Sequence, residues 1–417
     1  MTKLKSMKNK IITVVSLIAA LLAIIACEDK PSTYVFPKDE YFYDIPDVPV
    51  TEDYVVGVSY DLKYRDTLQN MWWDNNNKRQ ELYTGTPLLG EYDMRKELET
   101  TLRRHMDWGR EAGIDFFIIS WGGRGYNDTI IQEFGKYYQQ GHPKLVIRFD
   151  PGYRFPRAGT DTMLYNPIVM DSLRMDFDSL YTHVMAQPYA YRNKTNNKPA
   201  MVLTNITNTG NIPSINRFTD FLRNTVNKNI WIMAELQGQW TSPERWGYHA
   251  KNGYAGAVAD GWVQPDSIKA FDAFFITDIS TSNKDRYDGY YSFLDYNYNY
   301  WQKALAPVGK EYVPTIMPAF DNLVNNPLSN TYLIPRWKEG SGAYVISGNS
   351  PDAPKYNWSN IKENPFKTLA NIAKRNAGPS RIVIVYSWNN YVNGTNLEPT
   401  QEFGSDYLRY TKQFFKK

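Results

Sequence analysis

The chain has 417 residues, 15% of them aromatic, and its 47 basic and 44 acidic side chains give a formal charge of +3. Four of the lysines lie within the first ten residues, so the rest of the chain is close to neutral, which argues against a nucleic-acid partner. The single cysteine, Cys27, excludes an intramolecular disulfide, and with only four histidines the composition argues against a transition-metal site.

The first 27 residues carry the pattern of a bacterial lipoprotein signal. Four lysines precede an apolar run over residues 11–25, and Ala26 then places a small residue before Cys27. A run this short, followed by polar and Pro-rich sequence, is typical of a cleaved signal. We therefore expect cleavage after residue 26, lipidation of Cys27 and attachment to the outer membrane. A plain N-terminal anchor helix is the alternative.

Residues 27–53 are rich in Pro, Asp and aromatic side chains and show no lasting periodicity. We interpret them as a disordered, lipidated tether that precedes a single domain over residues 54–417. The acidic pair Glu28-Asp29 resembles the export signal of surface lipoproteins in Bacteroidetes, which implies that the protein faces the cell exterior.

Eight short apolar runs, rich in β-branched residues, alternate with segments of helical pattern. The runs cover residues 54–60, 115–121, 145–150, 200–205, 230–236, 273–279, 312–320 and 381–388. Each is apolar almost throughout, as expected of strands that are buried on both faces of a parallel sheet. Helices are predicted over residues 94–112, 129–139, 171–186, 215–228, 295–305, 366–375 and 405–415.

Eight alternating units over this length predict an α/β fold, a (β/α)8 TIM barrel. Ligand sites in such barrels lie at the carboxyl ends of the strands, where the βα loops gather. Long loops follow strands one, five and seven, over residues 61–92, 237–272 and 321–365, and loops of this length are usually functional. The chain has no glycine-rich phosphate loop and no zinc-type cluster, so we expect neither cofactor nor metal.

Carboxylates, amides and indoles lie together at the predicted strand ends. They are Tyr60, Asp61, Trp121, Asp150, Asn205, Glu235, Asp278, Asp321, Trp388 and Asn389. This mixture suits sugars, because polar groups bind vicinal hydroxyls and aromatic rings cover the sugar face. Acidic residues at strand ends can alternatively cap the next helix. Asp150 and Glu235 are the stronger candidates, because Tyr153 and Trp240 follow them. In the first long loop, either Trp72 or Trp73 could contact ligand.

The order of these segments resembles the endo-α-mannosidases of glycoside hydrolase family 99, (β/α)8 enzymes that act on α-mannan and mannose-capped glycans. The likeness rests on residues 87–93 (PLLGEYD), 105–121 (HMDWGREAGIDFFIISW), 145–153 (LVIRFDPGY) and 312–321 (YVPTIMPAFD). In the third stretch, Asp150 takes the acidic position of the family's Glu-Pro-Tyr. The first and fifth loops depart from the family, so the resemblance does not imply which glycan is recognised.

The likeness is greatest at strand eight. The family pattern Ser-Phe-Asn-Glu-Trp-His-Glu-Gly-Thr-x-Ile-Glu-Pro aligns without gaps with residues 387–399, and the agreeing residues are Asn389, Gly394, Thr395, Glu398 and Pro399. The two catalytic glutamates of the family fall on Asn390 and Asn393. An amide cannot act as a general acid or base, although it keeps its hydrogen-bonding capacity. Alternatively, the two asparagines only shape a turn before Gly394.

The resemblance and the missing glutamates predict a cell-surface glycan-binding lipoprotein on a catalytically degenerate barrel. We expect it to capture an α-mannan-like or host glycan for a neighbouring outer-membrane importer. The expected ligand-binding residues are Trp121, Asp150, Tyr153, Asn205, Glu235, Trp240, Trp388, Asn389, Asn390, Tyr391 and Asn393.

Two other function classes remain open. An endo-acting glycoside hydrolase would need relocated carboxylates, for which Asp150 and Glu235 are candidates; Glu398 matches a family position that is not catalytic. A structural or adhesive surface protein would have packed strand-end aromatics and a closed barrel mouth. A binding protein would instead show an open cleft between Trp121, Asp150 and Asn390.

Overall fold

The computed structural model describes residues 43–62, 84–123, 126–150, 167–204, 220, 223–224, 229–236, 271–277, 279, 290–321, 334–344 and 361–417. Several predictions fall outside the described residues. They are those on the lipoprotein signal, Cys27, Trp72, Trp73, Tyr153, Asn205, Trp240, Asp278 and nearly all of the helix predicted over residues 215–228.

Eleven strands are present in the described part of the chain. In chain order they are β1 (Val55–Tyr60), β2 (Phe116–Trp121), β3 (Lys144–Phe149), β4 (Ala200–Leu203), β5 (Trp231–Leu236), β6 (Ala273–Ile276), β7 (Glu311–Tyr312), β8 (Thr315–Ile316), β9 (Arg336–Lys338), β10 (Gly342–Tyr344) and β11 (Ile382–Val385). Strands β9 and β10 form a separate antiparallel hairpin. The other nine form one parallel sheet in the order β7-β6-β5-β4-β3-β2-β1-β11-β8.

Strands β7 and β8 are two halves of the single seventh strand that the sequence predicts. Pro314 lies between them, and a proline has no backbone N–H to donate to a neighbouring strand. The first half pairs with β6, where Val313 N donates to Phe274 O at 2.8 Å, and the second half pairs with β11, where Ile384 N donates to Pro314 O at 2.9 Å. One short stretch therefore joins both edges of the sheet, and the predicted (β/α)8 barrel is confirmed.

Helices surround the sheet. Among the described residues they are α1 (Leu98–Glu111), α2 (Tyr126–Tyr137), α3 (Pro167–Leu180), α4 (Tyr290–Leu305), α5 (Pro365–Asn376) and α6 (Asp406–Phe415). A π-helical turn, Tyr181–Met185, extends α3. Helix α4 begins five residues before its predicted start, because Tyr290 and Leu294 are buried and extend its packed face. No described helix is both long and apolar enough to cross a bilayer.

The barrel interior is built from alternate residues of each strand, since successive side chains of a strand point to opposite faces. The buried inward cluster includes Val55, Phe116, Ile118, Val146, Val202, Met233, Phe275 and Ile384. Gly57 shares this face, and a Cβ atom there would lie 2.2 Å from Phe116 Cε2, so the missing side chain makes room for the Phe116 ring. One step nearer the carboxyl ends, the same alternation brings a polar layer inward: Ser59, Ser120, Arg148, Thr204, Glu235, Thr277 and Tyr386.

Residues 43–53, which the sequence predicts as part of a tether, lie against the barrel surface. Tyr43 Oη donates to Asp295 Oδ2 of α4 at 2.8 Å. Asp47 accepts hydrogen bonds from Lys367 and Asn371 of α5, both at 2.8 Å. This segment forms no helix or strand, yet its side chains fix it to two neighbouring helices.

Candidate functional site

A cavity of about 350 Å³ lies at the carboxyl ends of the barrel strands. Its described lining consists of Ser59, Tyr60, Asp61, Leu62, Ser120, Asn127, Arg148, Thr277, Tyr386, Ser387 and Asn390. All of these residues except Leu62 are polar, and most carry hydroxyl or amide groups. Such groups both donate and accept, so the lining suits a ligand that has many hydroxyls.

An ion pair between Arg148 and Glu235 lies in the inward polar layer at this end of the barrel. The two residues come from β3 and β5, on either side of β4. Arg148 Nη2 lies 3.0 Å from Glu235 Oε1, and Arg148 Nε also donates to Glu235, so the contact is bidentate. Arg148 Nη1 donates to Ser120 Oγ and Nη2 to Thr204 Oγ1, each at 3.0 Å. The Thr277 hydroxyl completes the set by donating to Glu235.

Both members of this pair are ionised. Burial alone would raise the pKa of Glu235. The positive charge of Arg148 and the hydrogen bonds from Arg148, Thr277 and Thr204 outweigh burial, so the pKa of Glu235 is lowered. Burial alone would lower the pKa of Arg148, but Glu235 outweighs that effect and raises it. A carboxylate in this state has no proton to donate. Glu235 is therefore poorly suited to be the general acid of a hydrolase.

Asp150 follows β3 directly and is partly exposed. Its backbone N donates to Trp121 O at 3.0 Å, which continues the pairing of β3 with β2. The negative charge of Asp150 contributes to the raised pKa of Arg148, so the two side chains interact electrostatically. The structure thus brings Asp150, Arg148 and Glu235 to the same end of the barrel.

Asn390 lies on the cavity wall and is held in place on two sides. Its Nδ2 donates to the Tyr386 hydroxyl at 3.0 Å, and its Oδ1 accepts from Asn393 N at 3.2 Å. The turn continues to Gly394, whose φ of 63° suits a glycine. Asn390 therefore both shapes the turn and faces the cavity. Asn393 is partly exposed, its carbonyl accepts from Asp321 N at 2.9 Å, and it is not among the described lining residues.

The structure does not bring Trp121 to the barrel mouth, where the sequence predicts it. Trp121 directly follows Ser120 in β2, and successive side chains of a strand point to opposite faces. Since Ser120 points inward, the Trp121 indole lies on the outer face of β2. It stacks on Phe149, with ring centroids 5.6 Å apart, and its Nε1 donates to Asp128 Oδ1 at 3.2 Å. There it lines a second cavity of about 360 Å³, together with side chains of α2, α3 and the π-helical turn. The described residues therefore do not form the open cleft that the sequence predicts between Trp121, Asp150 and Asn390.

Trp388 and Tyr391 are also packed, each with none of its surface exposed. The Trp388 indole lies edge-on to His105 and Phe117, with ring centroids 5.3 and 5.2 Å away. Its contacts place it between the sheet and α1. The Tyr391 carbonyl accepts from Thr84 Oγ1 at 2.7 Å. Neither ring is among the described side chains that line the cavity.

Asn389 ties the strand-eight loop to the end of β1. Its Oδ1 accepts from Asp61 N at 2.8 Å, and its Nδ2 donates to Asp61 O at 2.9 Å and to the Tyr92 hydroxyl at 3.1 Å. These bonds use both polar atoms of the buried amide. Asn389 thus positions Asp61, which does line the cavity.

A buried polar chain supports the same wall from behind. Glu398 accepts from the Tyr92 hydroxyl at 3.0 Å and bonds His105 Nε2 at 2.9 Å, while His105 Nδ1 lies 2.6 Å from the Tyr60 hydroxyl. The His105 and Glu398 side chains are fully buried. Tyr60 also packs edge-on against Phe117, on the outer face of the sheet. The chain therefore fixes β1, α1 and the strand-eight loop to one another.

Several cavity residues were not singled out from the sequence: Ser59, Leu62, Ser120, Asn127, Arg148, Thr277, Tyr386 and Ser387. Tyr60 and Asp61 belong to the strand-end set that suits sugars, although they are not among the expected ligand-binding residues. Many of the cavity residues continue the alternation of the inward apolar residues, but the strands are apolar on both faces, so the sequence alone does not show which set points inward. Asn127 lies in the first turn of α2, and its Nδ2 donates to Ser120 O at 2.9 Å. No group of three or more His, Cys, Asp or Glu within the described ranges is arranged to hold a metal ion.

The family model described as Glycosyltransferase WbsX matches residues 171–411, which is more than half of the chain. The chain belongs to this family. The stretch matched by the WbsX model begins within α3 and ends within α6, so it carries Thr277, Tyr386 and Asn390 of the cavity. Arg148 and the other cavity residues from β1 to β3 lie before it.

Similar solved structures place the WbsX-family chain among glycoside hydrolase-type barrels. A glycoside hydrolase-like protein is 21% identical with a TM-score of 0.65, over 91% of this chain and 99% of that one. The family 99 endo-alpha-mannosidase from Bacteroides thetaiotaomicron is 13% identical with a TM-score of 0.54, over 87% and 97% of the two chains. These likenesses concern the fold, and they confirm a family-99-like barrel. A comparison with curated proteins finds no match.

Proposed function

We propose that this protein is a glycan-binding surface lipoprotein that holds an oligosaccharide in the cavity at the barrel mouth without hydrolysing it. The observation that carries the proposal is the place of Asn390. It lies on the cavity wall, at the position where the resemblance to family 99 puts a catalytic glutamate. Hydrolysis by that family's chemistry generally needs two carboxyl groups that flank the scissile bond. Here both positions are amides.

The lining supports binding through hydrogen bonds. Hydroxyl groups of Ser59, Ser120, Thr277 and Tyr386 surround the cavity, and sugar hydroxyls can donate to them or accept from them. The packed indoles of Trp121 and Trp388 do not offer a stacking face. Packed strand-end aromatics are what a purely adhesive protein would have, but such a protein would have no polar cavity.

Anchoring and location extend the proposal beyond the barrel. The lipobox that ends at Cys27 and the acidic pair after it support a lipid-anchored protein on the outer face of the outer membrane. A tethered binding protein would keep its captured glycan close to an importer in the same membrane. This role makes no use of catalysis, which fits the amides at positions 390 and 393.

Titration calorimetry against a panel of α-mannans, host glycans and other polysaccharides tests the proposal. We expect saturable binding to at least one glycan, with no new reducing ends after prolonged incubation. Asn390→Ala should weaken that binding about 10-fold, because it removes polar atoms from the wall. Absence of binding to every glycan in the panel would refute the proposed function.

An enzyme that acts on glycosidic bonds is the second candidate, and the family description supports it. The WbsX family is described as glycosyltransferases, and the similar solved structures include a glycoside hydrolase. Such an enzyme would have to use carboxylates other than the two that are missing. Of the two candidate carboxylates, Asp150 suits a catalytic role better, because Glu235 is held in an ion pair with Arg148. Release of reducing ends by the wild type, abolished in Asp150→Ala, would establish an endo-acting glycoside hydrolase instead.

A further inference from the structure

Among the described residues that line the cavity, Arg148 is the one with a cationic side chain. Its hydrogen bonds leave one N–H group of the guanidinium available. A guanidinium carries five N–H groups: one on Nε and two on each Nη nitrogen. Glu235 takes the Nε hydrogen and one on Nη2, Thr204 takes the other on Nη2, and Ser120 takes one on Nη1. These bonds do not use the second Nη1 hydrogen. The side chain is 28% exposed, and it lines the cavity.

We propose that Arg148 is the residue that determines which glycan the cavity accepts, and that it donates its remaining Nη1 hydrogen to an oxygen of an uncharged sugar. Glu235 is then a positioning residue that holds the guanidinium and cancels its charge, so that acidic sugars are excluded. The inference rests on the proposed glycan-binding function and specifies its ligand class.

The rigidity of Arg148 is the first argument. Four hydrogen bonds fix its plane, to Ser120 of β2, to Glu235 of β5 and to Thr204 directly after β4. A ligand therefore does not have to order a long flexible side chain. Hydrogen bonds from a charged donor are stronger than neutral ones, and the planar fork of arginine fits a bidentate carboxylate such as Glu235. A lysine would keep the charge but lose this geometry.

The charge balance around Arg148 is the second argument. Glu235 is 2% exposed and bonded directly to the guanidinium, so the pair presents almost no net charge to the cavity. A uronic acid or a sulfated sugar would lose water from its charged group and would find no uncompensated cation in this pair to replace it. Rejection of a ligand whose charge is desolvated and left unpaired is a common route to specificity.

The experiment uses the full chain and two probes that differ in charge, a neutral α-mannooligosaccharide and an acidic oligogalacturonide. If the calorimetry panel identifies another neutral glycan as the ligand, that glycan replaces the mannooligosaccharide. The wild type should bind the neutral probe and bind the acidic probe at least about 10-fold more weakly. Arg148→Lys should weaken neutral binding by about 10- to 100-fold, as expected for the loss of a charged hydrogen bond.

Arg223→Lys is the matched control. Arg223, like Arg148, is paired with a carboxylate: its Nη2 donates to Asp272 Oδ2 at 2.9 Å. Asp272 directly precedes β6, at the amino end of that strand, and so lies away from the cavity. This variant should bind the neutral probe as the wild type does. Circular dichroism on each variant separates loss of binding from loss of fold.

Glu235→Gln tests the charge argument. It leaves the Arg148 charge uncompensated, and we expect binding of the acidic probe to rise by about 10-fold and to fall again in high salt. If this variant does not fold, the double change Arg148→Gln with Glu235→Gln keeps a neutral pair and should lose neutral binding as Arg148→Lys does. Equal affinity of the wild type for both probes, or unchanged neutral binding in folded Arg148→Lys, would overturn the inference. Failure of the wild type to bind any glycan would instead overturn the proposed function.

Discussion

Asn390 shows how one side chain can serve both structure and recognition. Its oxygen stabilises the turn through Asn393 N, and its nitrogen donates to Tyr386 on the cavity wall. A glutamate at this position could accept both hydrogen bonds, provided that the Tyr386 hydroxyl turned to donate. The backbone of the strand-eight loop is therefore compatible with the carboxylate that the resemblance to family 99 implies.

Restoring both carboxylates, by Asn390→Glu with Asn393→Glu, should therefore create hydrolytic activity towards α-mannan. General acid–base catalysis contributes factors of about 10² or more, so release of reducing ends should exceed the wild-type background by at least that factor. Each single change is the control and should remain inactive, since the chemistry needs both groups. A folded double variant with no activity on any mannan would show that the barrel has lost more than its two carboxylates.

At the scale of elements, the sequence predicts the strands well because each is a continuous apolar run bounded by polar residues. The boundaries differ where a local feature intervenes, as at Pro314, which divides the seventh strand. The cavity residues were harder to predict than the strands. Reading the last residue of each strand selects Trp121 as readily as Ser120, and only the register of the closed sheet determines which of the two faces inward.

Gly57→Ala should destabilise the barrel by about 1–3 kcal/mol, because the new methyl group would overlap the Phe116 ring inside a packed interior. The free energy of unfolding in urea measures the effect. Gly122→Ala is the matched control, since no atom of a described residue, its two chain neighbours aside, lies within 4 Å of a Cβ at that position. Equal stability of the two variants would contradict the tight packing between β1 and β2.

The packing of residues 43–53 on α5 should make stability depend on pH through Lys374. This side chain donates to Val48 O, and burial lowers its pKa from 10.5 to about 8. Between those two values the unfolded chain binds more protons than the folded chain, so the free energy of unfolding should rise as the pH rises from about 8 to about 10.5. Water screens this half-buried group, so the rise should be on the order of 1 kcal/mol.

Urea unfolding of the wild type and Lys374→Met at several pH values measures this contribution as the difference between the two curves. Lys303→Met, at an exposed position on α4, is the control and should keep the wild-type pH dependence. If Lys374→Met follows the same pH curve as the wild type, the half-buried lysine does not shift its pKa on folding.

At the scale of the whole molecule, the proposed role joins a predicted anchor to a barrel that has a polar mouth. The anchor prediction comes from the sequence pattern around Cys27, and the barrel from the closed sheet. Neither part alone indicates a capture protein. Together with the amides at positions 390 and 393, they favour retention of a glycan over its turnover.

Cys27→Ala should release the protein from the membrane fraction, because the thiol that carries the lipid is lost. Fractionation of cells and labelling with a radioactive fatty acid measure the change, and the released protein should bind the same glycan with unchanged affinity. Membrane retention of unlabelled Cys27→Ala would favour the alternative of a plain anchor helix.

The sequence by itself determined the class of fold and the resemblance at strand eight, because apolar periodicity and short motifs are local properties of the chain. Only the tertiary structure decided which polar residues meet at the barrel mouth. Arg148 and Glu235 are 87 residues apart, and their pairing follows from the closure and register of the sheet. The same register places the Trp121 indole on the outer face of the sheet. It also places Glu235, a carboxylate at a predicted strand end, in an ion pair with Arg148. Contacts between distant strands depend on the barrel as a whole, so no local pattern could specify them.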